Sequence, residues 1–250
     1  MIIDAHAHIG RFNLWPLAPD TVEQLLTILR AESIDYALVS SAKAICYDCP
    51  SGNADVLEAA AAHDQILPLL CVNPVRREES SAELSTWRTR GFVGVKLHPT
   101  QHAYSLVSPA ADAVLDFCEE NAIPVLTHAD EDDPRCDPAA MATVAARHPD
   151  LTLIVGHACL FSSRGVVDVA EEYPNLYLEL SVNYEAGKLE DTVRRLGCER
   201  LLFGSDVPLH NPSVMLQRIK VVGLPQEDEN KILCENARHI YGLKLPVRTP

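Results

Sequence analysis

Apolar positions recur along the chain in two alternating patterns. Runs with period-two or near-continuous apolar character fall at 2–8, 35–41, 66–72, 92–98, 123–128, 151–157, 176–181 and 200–206, and read as buried strands. Between them the apolar spacing changes to three and four, as at Val22, Leu25, Leu26 and Leu29, where Asp20 or Thr21 is placed to open a helix. Further helices are expected at 53–63, 79–90, 109–121, 138–148, 164–173, 188–196, 213–222 and 226–241, with Pro109 in a first turn and Gly197 and Gly242 as stops. Residues 244–250 read as a frayed tail. The strand-end markers His8, Ser41, Asn73, Lys96, His128, His157, Ser181 and Asp206 lie 23 to 33 residues apart, an interval that suits one strand and its crossover helix. Eight such units predict an α/β fold, a (β/α)8 barrel of the TIM type, spanning 1–250 as one domain. An open doubly wound sheet fits less well, because no Gly-rich phosphate turn follows the first strand.

Composition is that of an ordinary globular protein, 47% hydrophobic and 22% charged. The formal net charge of −14 repels phosphate and anionic lipid, which argues against nucleic acid and membrane partners and leaves a bound cation acceptable. No apolar run approaches a membrane span and Met1-Ile2-Ile3-Asp4 carries no basic leader, so the expected location is the cytoplasm. The eight cysteines (Cys46, Cys49, Cys71, Cys118, Cys136, Cys159, Cys198 and Cys234) are scattered, several in apolar segments, and read as reduced core residues. Cys46-x-x-Cys49 stands apart as a redox pair or half of a zinc site.

The chemistry concentrates at strand ends. On a regular strand Asp4, His6 and His8 share one face, and two neighbouring imidazoles suit zinc or a related divalent metal. Strand four ends in Lys96 and His98, five in His128, six in His157 and eight in Asp206. Each has an ordinary reading taken singly: a core histidine bonded to a carbonyl, a strand cap, a solvated lysine, a turn aspartate. Barrel closure would bring all of them to one mouth, where so many ionisable groups need a cation or a network to compensate them. Around that mouth the connecting loops supply Arg11, Phe12, Trp15, Tyr47, Tyr104, Asp130, Arg135, Asn183, Tyr184 and His210. Arg11, His98 and Arg135 are candidate substrate contacts, the arginines as bidentate carboxylate binders or else as surface residues. The short loops favour a small-molecule substrate.

Asp4-Ala5-His6-Ala7-His8, Gly94-Val95-Lys96-Leu97-His98-Pro99, Thr127-His128-Ala129, Gly156-His157-Ala158, Leu202-Phe203-Gly204-Ser205-Asp206-Val207-Pro208 and the ending from Glu235 to Leu243 resemble, in order, the amidohydrolase superfamily of metal-dependent hydrolases. The closest likeness is to the amidohydrolase-related branch that includes small lactonases and the aminocarboxymuconate-semialdehyde decarboxylase type. The resemblance implies that His6, His8, His128 and Asp206 hold one Zn2+ or another divalent metal, which draws the pKa of water toward neutrality. It implies Asp206 as general base and His157 as the group that polarises the scissile bond or stabilises an oxyanion. Asp4, by strand parity, is expected to steady a ligand from behind. In binuclear members a carboxylated lysine bridges two metals, and Lys96 with His128 and His157 stands in the corresponding places; the text around Lys96 favours the mononuclear branch. Lys96 also departs from the TatD-like nucleases, which carry a glutamate there. The leading expectation is a hydrolase that cleaves an ester, lactone or amide of a small organic acid. A metal-dependent decarboxylase is the alternative, and a non-catalytic metal-binding barrel the third reading. A homodimer is the default expectation for any assembly.

Overall fold

In the computed structural model, residues 1–13, 20–158, 163–182 and 185–246 are described. Trp15, Cys159, Asn183, Tyr184 and the last residues of the tail lie outside them. Among the described residues eight strands form one parallel sheet in sequence order: β1 (Ile3–Ile9), β2 (Tyr36–Ser41), β3 (Ile66–Cys71), β4 (Gly94–Leu97), β5 (Val125–Thr127), β6 (Leu153–Val155), β7 (Leu176–Glu179) and β8 (Leu201–Leu202). Beyond its short ladder with β7, the β8 segment runs along β1. Ala5 N–H donates to Phe203 O at 2.9 Å, Asp206 N–H to His6 O at 2.8 Å and His8 N–H to Val207 O at 2.8 Å. These bonds bring the last strand back to the first, and the sheet is a TIM barrel as its periodicity predicts.

The helices are α1 (Val22–Ala31), α2 (Ala42–Cys46), α3 (Cys49–Ala62), α4 (Arg77–Ser85), α5 (Trp87–Arg90), α6 (Pro99–His102), α7 (Pro109–Glu120), α8 (Pro138–Arg147), α9 (Ser163–Glu172), α10 (Ala186–Leu196), α11 (Pro212–Val222), α12 (Gln226–Asn230) and α13 (Asn236–Ile240). Thr21 caps α1 in a reciprocal capping box with Gln24, and α1 buries Leu25, Leu26 and Leu29 against the barrel. Ser108, Asp137 and Asn211 cap α7, α8 and α11, each just ahead of a proline in the first turn. The structure departs from the pattern in three places. The expected helix at 79–90 is divided at Thr86 into α4 and α5. The expected helix at 226–241 contains a π-turn, Lys231–Glu235, between α12 and α13. Two short helices, α2 and α6, lie in loops whose few residues carry too little periodicity to announce them.

Strand alternation sorts the core into two layers. Outward residues such as Val39, Leu70, Val95, Leu97, Val155 and Leu178 pack against the helices. Inward residues Tyr36, Leu38, Leu67, Leu69, Leu126, Ile154 and Leu202 fill the lower barrel, plugged by Cys234, Ala237 and Tyr241 from the C-terminal helices. Gly94 makes that plug fit, since a Cβ there would lie 2.7 Å from the Tyr241 ring. Above this apolar floor the inward positions turn polar.

Candidate functional site

His6 and His8 reach the mouth through an irregularity in β1. Asp4 pairs with Ala37 and His8 with Ser40, and the register shifts between Asp4 and Ala7. Positions 37 and 40 of β2 face opposite sides, so the bulge turns the histidines inward and leaves Asp4 on the outer face. The expectation that Asp4 shares a face with the imidazoles is therefore corrected: regular alternation does not cross a bulge. Asp4 instead accepts from the backbone N–H of His6 and of Ser205, both at 3.0 Å, and from the Ser205 hydroxyl. It thus ties the bulge to the β8 segment. Burial pushes its carboxyl up to about 7 against those hydrogen bonds.

Each ligand-type histidine is oriented from behind. His6 Nδ1 lies 2.7 Å from Glu179 Oε2, and His6 Nε2 lies 2.8 Å from Lys96 Nζ. An ammonium only donates, so Nδ1 carries the ring proton and gives it to Glu179. His8 Nδ1 lies 2.9 Å from Ser40 Oγ, and its Nε2 lies 3.0 Å from Asp206 Oδ1. His6 Nε2 is 3.8 Å from the same Asp206 oxygen. Two imidazole nitrogens and a carboxylate oxygen thus converge within 4.8 Å of one another, all buried. This donor set, with hydrogen-bonded far nitrogens, fits a divalent cation.

His157 and Asp206 both have left-handed backbone, with φ of 56° and 61°, a conformation that costs a non-glycine residue about 1–2 kcal/mol. It turns both side chains back over the barrel mouth. His157 Nδ1 lies 2.8 Å from Ser181 Oγ, which donates to Glu179 Oε2 at 2.8 Å. With Glu179 ionised, that hydroxyl's proton goes to its carboxylate, and His157 then donates from Nδ1 and presents an unprotonated Nε2. Burial lowers His157 to about 4, against the attraction of Asp206. Burial would raise Asp206, but His157, the His8 hydrogen bond and Lys96 outweigh it and hold the carboxylate at about 2. Burial brings Lys96 down to about 8, countered by Asp206 and Glu179.

His128 lies across the mouth, its ring stacked on His98 at 4.1 Å and edge-on to His157 at 4.9 Å. It stands apart from the tight group of His6, His8 and Asp206. His98 also caps α6, its Nδ1 accepting from Gln101 N–H at 3.4 Å. A cavity of about 410 Å³ opens over these groups, lined by His6, His8, Lys96, His98, His128, His157 and Asp206, with Phe12, Thr100, Gln101, Asp130, Val182, Leu209 and His210. Of the sequence-selected residues that are described, His6, His8, Phe12, Lys96, His98, His128, Asp130, His157, Asp206 and His210 come together at one mouth, whereas Asp4, Arg11, Tyr47, Tyr104 and Arg135 do not line it. Arg135 is held by Asp133 at 2.7 Å and braces the Thr100 carbonyl from outside; Arg11 is exposed.

Glu179 was not among the candidates. It is fully buried and accepts from His6 Nδ1, Ser181 Oγ and the backbone N–H of Ser181 and His157, the last two at 2.6 and 3.2 Å. Burial pushes it up to about 8 against those bonds. Its signal was a lone charge inside the apolar run Leu176-Tyr177-Leu178-Glu179-Leu180.

The sequence model of the Amidohydrolase family matches residues 3–243. No curated protein sequence matches the chain. Among solved structures, the 2,6-dihydroxybenzoate decarboxylase from Rhizobium superposes with a TM-score of 0.74 at 18% identity, covering 96% of this chain and 98% of that one. The dihydroxybenzoic acid decarboxylase from Polaromonas, with bound manganese and the inhibitor 2-nitroresorcinol, gives 0.76 at 16% identity, with 98% of each chain covered. A protein from Acinetobacter baumannii described as a probable 2-pyrone-4,6-dicarboxylic acid hydrolase, with citric acid bound, gives 0.71 at 16%, covering 97% and 99%. At these identities the superpositions establish the barrel, and the sequence match over nearly its whole length places the chain in the amidohydrolase family.

Proposed function

We propose that the protein is a divalent-metal-dependent hydrolase that cleaves an ester, lactone or amide bond of a small organic acid. The observation that carries this reading is the placement of Asp206. One carboxylate oxygen, Oδ1, stands in the donor group at 3.0 Å from His8, while Oδ2 faces His210 at 3.8 Å on the cavity side. One side chain can therefore serve as ligand and as base. His6, His8 and Asp206 would hold the ion, Zn2+ being the expected one, and His128, across the mouth, would have to close on it as the fourth ligand. When bound, the metal supplies a Lewis acid that polarises a carbonyl and makes water more acidic.

The chain's own groups do the rest. Asp206 is ionised at neutral pH and takes a proton from water at Oδ2 as the water oxygen attacks the carbonyl carbon. His157 enters the cycle as an acceptor at Nε2, because Ser181 holds its Nδ1 proton. It becomes a donor to the leaving group only after receiving a proton, and the proton available is the one Asp206 has taken from water. Phe12 and Leu209 give the cavity an apolar wall, and its volume suits a small ligand. Lys96 and His98 are the cationic or polar contacts offered to a substrate carboxylate. On this reading the protein works without nucleic acid or membrane partners, in the cytoplasm; among the described residues no helix is long and apolar enough to cross a membrane.

Turnover of a panel of small lactones, esters, amides and aromatic carboxylic acids in 18O-labelled water tests the proposal. Hydrolysis places one solvent oxygen in the product acid. Release of CO2 with no solvent oxygen retained in the organic product would assign the site to decarboxylation instead. Normal ligand binding with no turnover in any class, unaffected by Asp206→Asn, would leave a binding barrel.

A further inference from the structure

A second group of metal-type donors lies in the wall of the barrel mouth, outside the histidine cluster. Cys49 begins α3, Cys71 ends β3, and His102 ends α6. Their donor atoms lie within 4.8 Å of one another. Two features of the fold hold them there. Gly52 lets the first turn of α3 lie directly on α2, since a Cβ at that position would sit 2.3 Å from Ala44 N. Asn53 then clamps the Cys71 backbone, donating to Cys71 O at 2.9 Å and accepting from Cys71 N–H at 3.0 Å.

The Ala44 carbonyl completes the group. Its oxygen is 3.3 Å from Cys49 Sγ and 3.2 Å from His102 Nε2, and Cys49 Sγ is 3.9 Å from that nitrogen. An ion at about 2.3 Å from sulfur and about 2.0–2.1 Å from nitrogen or oxygen separates its ligands by roughly 3.4–3.8 Å at tetrahedral to trigonal angles. The three edges among Cys49, His102 and the Ala44 oxygen, 3.2 to 3.9 Å, bracket that range, and Cys71 Sγ lies within 4.8 Å of the other two side-chain donors. A divalent ion with two thiolates is neutral overall, which burial tolerates. The hydrogen bond between the two thiols draws Cys49 below its ordinary range and, with burial, pushes Cys71 well above its own, so the second thiolate forms only with the ion bound.

We propose that Cys49, Cys71 and His102, with the Ala44 carbonyl oxygen, form a second metal site selective for a thiophilic divalent ion such as Zn2+ or Cd2+. Binding releases the two thiol protons and moves the His102 ring proton from Nε2 to Nδ1. The site pins α2, α3, β3 and α6 together. Because α6 carries Thr100 and Gln101 into the cavity wall, the ion fixes one side of the substrate pocket without touching substrate. It also gives Cys49 a role, with Cys71 as its partner and not Cys46, which stands half-exposed with its thiol toward Asn13 Oδ1 at 3.8 Å.

The test is titration of metal-stripped, reduced protein with Co2+, followed by absorption in the near ultraviolet, where thiolate-to-cobalt charge transfer appears. The wild type should take up a cobalt that brings this band. Cys49→Ser and Cys71→Ser should each lose the band and that equivalent, whereas Asp206→Asn should keep the band and lose the other ion. Should a serine variant fail to fold, X-ray absorption at the zinc edge of the wild-type zinc protein must show sulfur in the coordination shell. The proposal is overturned if no charge-transfer band develops, if the band survives both serine variants, if the zinc edge shows no sulfur, or if Cys49 and Cys71 are recovered as a disulfide in place of a metal complex.

Discussion

Gly204 puts the polar floor of the site under a strict spatial condition. A Cβ at this position would lie 2.1 Å from Glu179 Oε1, 2.6 Å from its Cδ and 2.9 Å from its Cγ. Glu179 cannot simply step aside, because Ser181 N–H, Ser181 Oγ and His6 Nδ1 hold it at 2.6, 2.8 and 2.7 Å. Restoring van der Waals contact in Gly204→Ala needs a shift of about 1 Å or more, which breaks at least two of those bonds. Each buried donor left unpaired costs about 1–3 kcal/mol, so the expected loss is roughly 2–6 kcal/mol. For a chain of this size that corresponds to a fall in Tm of roughly 4–24 °C. Urea unfolding of the metal-free protein measures it directly. Gly187→Ala is the matched control: it lies in α10 with nothing within 4 Å of its added Cβ, and should leave stability unchanged or raise it by up to about 1 kcal/mol. A Gly204→Ala protein within about 0.5 kcal/mol of the wild type, well inside the range of an ordinary surface change, would refute the claim that Glu179 is locked.

Glu179→Gln keeps an acceptor for His6 Nδ1 but removes the charge, and should weaken divalent-metal affinity roughly 10–100-fold in a chelator competition; unchanged affinity would remove Glu179 from the support of His6. Mn2+, a hard ion that the thiol group should decline, is expected to bind at one equivalent per chain by equilibrium dialysis and to do so equally in Lys96→Met, whereas two equivalents falling in the variant would mean that Lys96 bridges a metal pair. Asp4 is raised in the folded state from 3.8 to about 7, so the stability it contributes is complete below pH 3.8 and is lost as pH rises through 7. The advantage of wild type over Asp4→Asn, measured by urea unfolding without metal, should therefore decline by up to roughly 4 kcal/mol between those limits; an advantage that grows with pH would reverse the assignment.

The order of the barrel was legible in the sequence because it is a local property repeated eight times. Each unit carries its own change from period two to period 3.6, and several carry a cap as well. The polar strand ends were legible for the same reason: His6, His8, Lys96, His128, His157 and Asp206 interrupt apolar runs where a barrel collects its chemistry. Family membership rested on those same residues. What the sequence did not show depends on contacts between distant segments. The bulge in β1 arises from pairing with β2 and with the β8 segment, and it places Asp4 on the opposite face from the histidines it precedes. Glu179 acquires its importance only when β7 closes on His6, 173 residues away. Arg135, from its sequence either a carboxylate contact or a surface residue, is engaged by Asp133. Cys49 found its partner not in the neighbouring Cys46 but in Cys71 and His102, brought together by α3 and α6. Periodicity fixes the eight strand–helix units and their order, whereas short loop helices, register, bulges and side-chain partners follow from the energy of closing the whole barrel, to which no single segment holds the information.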